Sequence, residues 1–152
     1  MDSINIFIQT RHLIEQVVAG LSDQQMRYIP PGFDNNIAWN LGHIVVVQQL
    51  LHYRLCGLEM AVNDHQIAMF RTGTSPADWQ TEPDLAPVMA LLLELPQKLL
   101  ADYQTGRFGD FKPFTTSTGI YLETLEEAIA FNNFHEGLHL GFILSLRNLV
   151  DQ

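Results

Sequence analysis

"TLEEAIAFNNFHEGLHLGFILSLRNL", residues 124 to 149, is the stretch on which the fold turns. Thr124 and Glu127 have the spacing of a capping box, in which a hydroxyl and a carboxylate satisfy backbone amides at a helix start. From there Leu125, Ala128, Asn132, His135, His139, Phe142, Leu146 and Leu149 follow at spacings of 3, 4, 3, 4, 3, 4 and 3. A seam of that period, unbroken over about 25 residues, predicts one long helix with a stripe turned to the interior of a bundle. Its middle is polar: Asn132, His135 and His139. A buried imidazole without a partner costs about 1–3 kcal/mol, so these histidines need an explanation.

Three more apolar-periodic stretches lie upstream, separated by Pro, Gly and Asn. The first runs from about Ser3 to Ala19, with Ile6, Ile8, Leu13, Ile14, Val17 and Val18 as its apolar face and Gly20 as its stop. A short turn follows Ser22 and ends at Pro30-Pro31-Gly32. The second, about Asn36 to Cys56, carries Ile37, Leu41, Ile44, Leu51 and Leu55 and stops at Gly57. The third, about Pro83 to Tyr103, opens after Thr81, and Pro96 inside it is expected to kink or divide it. The connection between the second and third holds one short helix around Asp64 to Phe70, and the connection before Thr124 has some extended character. The expected architecture is all-α: a four-helix bundle with long loops between helices 2 and 3 and between helices 3 and 4, in a single domain over residues 1–152.

Composition narrows the function. Apolar residues make up 47% and charged residues 16%, which predicts a packed core rather than disorder. No apolar run approaches the roughly 20 residues of a membrane span, and the N-terminus lacks a signal-peptide pattern. One cysteine, Cys56, rules out an internal disulfide framework and suits a reducing, cytoplasmic setting. With 8 basic and 17 acidic residues the net charge is −9, which argues against nucleic acid and anionic membrane surfaces as partners.

His135 and His139, at i and i+4, lie one turn apart and can aim lone pairs at a common ion. Each can equally be a core histidine bonded to a carbonyl or to Asn132. A third imidazole on another element favours metal, and His43, set among Leu41, Ile44, Val45 and Val46, is the candidate. His12 borders Arg11 on what reads as a polar edge of the first helix, His52 is rotated off the face of His43, and His65 lies in a loop. Among the aromatics, Trp39, Phe131, Phe134 and Phe142 are expected in the core or around a pocket mouth. Asn132 is the candidate partner for His135, or else a seam amide bonded to a neighbouring carbonyl. Gly137 and Gly141 are expected to serve packing within the chain, or else the approach of a second subunit.

"NNIAWNLGHI" at residues 35 to 44, together with "FHEGLHLGFILSLRNL" at 134 to 149, resembles the DinB-like (DinB/YfiT) superfamily over essentially the whole chain. The resemblance implies a four-helix bundle holding a divalent metal, zinc or nickel foremost, on His43, His135 and His139. It also implies a homodimer. By the same resemblance the chain is a metal-dependent transferase or hydrolase of small molecules, with a low-molecular-weight thiol as one class of substrate. The alternative is a non-catalytic metal-binding or stress-associated interaction module. A charged thiol would want cationic anchors, for which Arg54 and Arg147 are the candidates.

His135-Glu136-Gly137-Leu138-His139 also reads as H-E-x-x-H, the zinc-protease pattern. A metzincin would continue with Gly at 142 and His at 145, where this chain has Phe142 and Ser145. Glu136 also stands about 100° around the helix from His135, off the seam, toward a neighbouring element or solvent. A zinc metalloprotease therefore rests on the match alone.

Overall fold

The computed structural model describes residues 2–150. In α1 (Asp2–Val18) the buried line is Ile4, Phe7, Arg11, Ile14 and Val18, one residue every three or four. Ile6 and Leu13, expected on the apolar face, are 58% and 47% exposed. The face is rotated because a charged residue, Arg11, occupies its centre. α2 (Asp23–Arg27) is the turn expected after Ser22, which caps it in a full capping box with Gln25.

α3 (Ile37–Gln48) is buried at every position, with Asn36 capping its first turn. The helical path continues as a π turn over Gln49–Tyr53 and a tight 3-10 turn over Arg54–Cys56. Gly57, at φ 68°, ends it in the left-handed region that glycine enters without strain. α4 (Asp64–Phe70) matches the short helix expected in the connection.

α5 (Leu85–Gln104) starts at an Asp84 cap rather than at Thr81, and it runs through Pro96 undivided. The proline has no N–H to give the Leu92 carbonyl four residues earlier. Arg11 of α1 supplies that missing donor, its Nη1 standing 3.2 Å from the Leu92 oxygen. A short hairpin, β1 (Phe114–Thr115) against β2 (Tyr121–Leu122), lies in the connection that read as partly extended.

α6 (Leu125–Val150) is the long helix expected from the seam. Thr124 Oγ1 accepts from the Glu127 amide, while the Glu127 carboxylate accepts from Glu123 rather than completing the box on Thr124. Its buried residues are Leu125, Ala128, Ile129, Asn132, Glu136, Ile143 and Leu146; His135 and His139 are half-buried and Phe142 is exposed. Leu125, Ala128, Asn132 and Leu146 of the seam are buried as expected, while in the middle of the helix the buried position is Glu136 rather than His135 or His139.

α1 packs against α5 and α6, and α3 packs against the same two helices, which closes the four-helix bundle. An asparagine and an arginine mark α1 and α6 as parallel: Asn133 donates to the Ser3 carbonyl and Arg147 to the Val17 carbonyl. No described helix is long and apolar enough to cross a membrane.

Candidate metal centre

α3 and α6 bring three imidazoles together on one side of the bundle. The Nε2 atoms of His43 and His139 lie 3.2 Å and 3.1 Å from Nε2 of His135. Nitrogens sharing one ion through bonds of about 2.0–2.1 Å sit about 3 Å apart, so the set could hold a metal ion.

The far sides of two rings are fixed. His43 Nδ1 lies 2.7 Å from the Phe70 carbonyl, and His139 Nδ1 lies 2.7 Å from Asn40 Oδ1. Both partners only accept, so each ring carries its proton on Nδ1 and turns the Nε2 lone pair toward His135. His135 has at most one Nε2 proton to share between two lone pairs. A cation among the three Nε2 atoms would accept all three lone pairs. Nδ1 of His135 is buried without a hydrogen-bond partner. Burial holds His43 down to about 4 and His135 and His139 down to about 3, with the neighbouring imidazoles adding to the lowering in the last two. All three are neutral, lone pairs available, at pH 7.

The sequence around His43 is accounted for residue by residue. Asn36 caps the helix by accepting from the Trp39 amide at 2.8 Å. Trp39 stacks on the His43 ring, centroids 4.4 Å apart and planes at 15°. Asn40, one turn after the cap, donates to the Asn36 carbonyl at 2.7 Å and so presents its oxygen to His139. A Cβ on Gly42 would come within 2.3–2.5 Å of the Phe70 ring, so only glycine lets α4 close down and bring its last carbonyl to His43.

Asn132, expected beside His135, instead donates to Glu136 at 3.3 Å. Asn40 takes the supporting role. Of the aromatics, Trp39 and Phe131 flank the cluster, with Phe131 stacked against His135 at 6.1 Å. Phe134 is 53% exposed, and Phe142 packs against Phe33 at the surface side of α6. His12 and His65 are exposed, outside the cluster. His52 is fully buried beside Phe7, with neither ring nitrogen in a well-formed hydrogen bond.

Glu136 is wholly buried, not turned to solvent. Its two oxygens take Nε and Nη2 of Arg11 at 2.5 and 2.6 Å. Arg11, which read as a polar border, is 0% exposed and also donates to the Ile44 and Leu92 carbonyls. One side chain of α1 thereby ties α3, α5 and α6 together. Burial pushes the Glu136 carboxyl up, opposed by the Arg11 charge and the bonds from Arg11 and Asn132. Neither Arg11 nor Glu136 is available to a ligand. Arg147 is engaged on Val17, and Arg54 is exposed about three turns beyond His43.

A hollow of about 350 Å³ bordered by Tyr103, Phe111 and Glu126 shares no residue with the histidines. One of about 160 Å³ abuts His135. A four-helix bundle with three converging neutral imidazoles on facing helices defines the class: a helical protein with a histidine cluster able to take a metal. Within that class, residues 6–143 match the DinB superfamily, and the chain belongs to it. Comparison with curated proteins finds no match.

Proposed function

We propose that His43, His135 and His139 bind one divalent transition ion, zinc or nickel, through their Nε2 atoms, and that the chain is a metal-dependent transferase or hydrolase of small molecules. The observation that carries this is the pairing of His43 with Phe70 and His139 with Asn40, which aims two lone pairs at the third ring. An ion on three neutral nitrogens keeps coordination positions open and lowers the pKa of a bound water or thiol. The chain's own part is orientation and shielding. Trp39 and Phe131 cover the imidazoles from two sides, and the Phe70 carbonyl and Asn40 hold two of them in one tautomer.

The partner class is a small molecule, with a low-molecular-weight thiol as nucleophile. The homodimer remains part of the proposal. Gly137 and Gly141 have no heavy atom within 4 Å of an added Cβ, which leaves their helix face open, with Phe134 and Leu138 exposed beside them. A second reading, a non-catalytic metal-binding or interaction module, draws on the capture of Glu136 by Arg11, which removes the nearest carboxylate from general-base duty. The same capture leaves the H-E-x-x-H match without its base and counts against the protease.

Zinc- or nickel-loaded protein supplied with small thiols and electrophilic acceptors, or with esters, tests the choice. Turnover that disappears in His43→Ala and His135→Ala supports the enzyme. Full metal occupancy with no turnover for any thiol or ester supports the binding module.

A further inference from the structure

Two ridges of side chains leave the histidine cluster and run side by side. On the α3 path, His43, Val47 and Leu51 follow at intervals of four; on α6, His135 and Phe131 do the same in the opposite direction. Each ridge is a metal-type side chain continued by apolar ones. Between them, roofed by the hairpin at Phe114 and Thr116, is a cavity of about 160 Å³ with His135 in its wall.

None of the residues lining this cavity carries a formal charge at neutral pH. The hairpin hydroxyls are largely occupied with each other: Thr116 Oγ1 pairs with Thr118 Oγ1 at 2.9 Å and accepts from the Ile120 amide at 3.1 Å. The Thr116–Ile120 turn is itself closed by backbone bonds and by Gly119 at φ 84°, so the roof is built rather than loose. Arg71, next in sequence to Thr72 of the lining, is exposed and donates to the Thr72 carbonyl at 3.3 Å. An apolar cavity of about 150 Å³ is large enough to take benzene. A charged group placed here would lose its hydration without a partner.

We propose that this cavity receives a small, uncharged, apolar group of about the size of a benzene ring, and so presents the rest of its ligand beside His135. The inference deepens the function proposed above by naming the substrate class of the same site. An uncharged aromatic or branched aliphatic compound fits; a small anion or a charged amine of the same size does not.

The probe is benzyl alcohol, compared with benzoate and benzylammonium, titrated into the zinc-loaded and the metal-free protein and followed by backbone amide chemical shifts. Saturable shifts from benzyl alcohol are expected at Val47, Leu51, Phe131 and the 114–118 turn, with both ions binding the metal-free protein at least about tenfold more weakly. Val47→Phe fills the cavity and should weaken benzyl alcohol about tenfold or more without changing zinc stoichiometry. Phe131→Leu, at a half-buried position, should weaken it severalfold and tests the same wall should the first variant fold poorly. The comparison of the three probes on the native sequence needs no variant at all. Absence of saturable shifts at these residues, or benzoate binding the metal-free protein as tightly as benzyl alcohol does, overturns the proposal. Zinc uptake without benzyl alcohol binding rejects the cavity alone. Benzyl alcohol binding without zinc uptake upholds the cavity and rejects the metal reading.

Discussion

Arg11→Met should be the most destabilising single change outside the apolar core. Arg11 is 0% exposed, makes two bonds to Glu136, and gives one each to the Leu92 and Ile44 carbonyls. Removing one partner of a buried ion pair leaves the other charge uncompensated, at about 3–5 kcal/mol. It also leaves the Leu92 carbonyl, already deprived of a donor by Pro96, without a partner. For a chain of this length about 1 kcal/mol moves Tm by roughly 2–4 °C, so a fall of about 10 °C or more is expected. The double variant Arg11→Met/Glu136→Leu removes both charges and should recover most of that loss. A double-mutant cycle in urea should then return a coupling energy above about 2 kcal/mol. Arg11→Met costing under 1 kcal/mol, or a double variant no more stable than the worse single one, would refute the reasoning.

Three further outcomes follow from the same contacts. Asn40→Ala deprives His139 of its Nδ1 acceptor and should weaken zinc binding about 10–100-fold in a chelator competition, while Asn40→Asp keeps the acceptor and most of the affinity. Gly42→Ala drives a methyl into the Phe70 ring; it should cost about 1–3 kcal/mol in urea unfolding and weaken zinc as well, because the Phe70 carbonyl orients His43. His52 is held down to about 3 by burial, against a weaker raising effect of the Ala128 backbone and with Arg11 adding to the lowering. Protons therefore bind the unfolded chain first: stability from this group is full above pH 6.5 and falls by about 1.4 kcal/mol per pH unit from there toward 3. His52→Leu should shift the midpoint of acid unfolding to lower pH, and an unchanged midpoint would contradict this.

The long helices were legible because apolar spacing and stop signals agreed: Gly57 after the second, the short Asp64–Phe70 helix, and the 125–150 span all stand as read. The three histidines were legible as a set because two share a helix face and the third sits unexplained in an apolar stretch. What misled was charge in the core. Arg11 and Glu136 are 125 positions apart, and nothing local in either stretch signals the other. Arg11 alone reads as a polar border, and that reading rotated the apolar face of α1; Glu136 reads as facing a neighbouring element or solvent, and its own stretch does not say which. Pro96 read as a breaker because the donor that replaces its N–H comes from α1. The support for His139 was missed differently. Asn40 lay in a motif already singled out, and its spacing of four from the Asn36 cap was the available sign that its amide nitrogen would be spent on that turn.

Metal content of freshly purified protein, measured by elemental analysis beside His43→Ala and His135→Ala, bears most directly on the histidine cluster. About one divalent transition ion per chain in the native sequence, and close to none in either variant, is the predicted result. A native protein that takes up neither zinc nor nickel when supplied, or a His43→Ala variant that retains as much metal as the native chain, would contradict it.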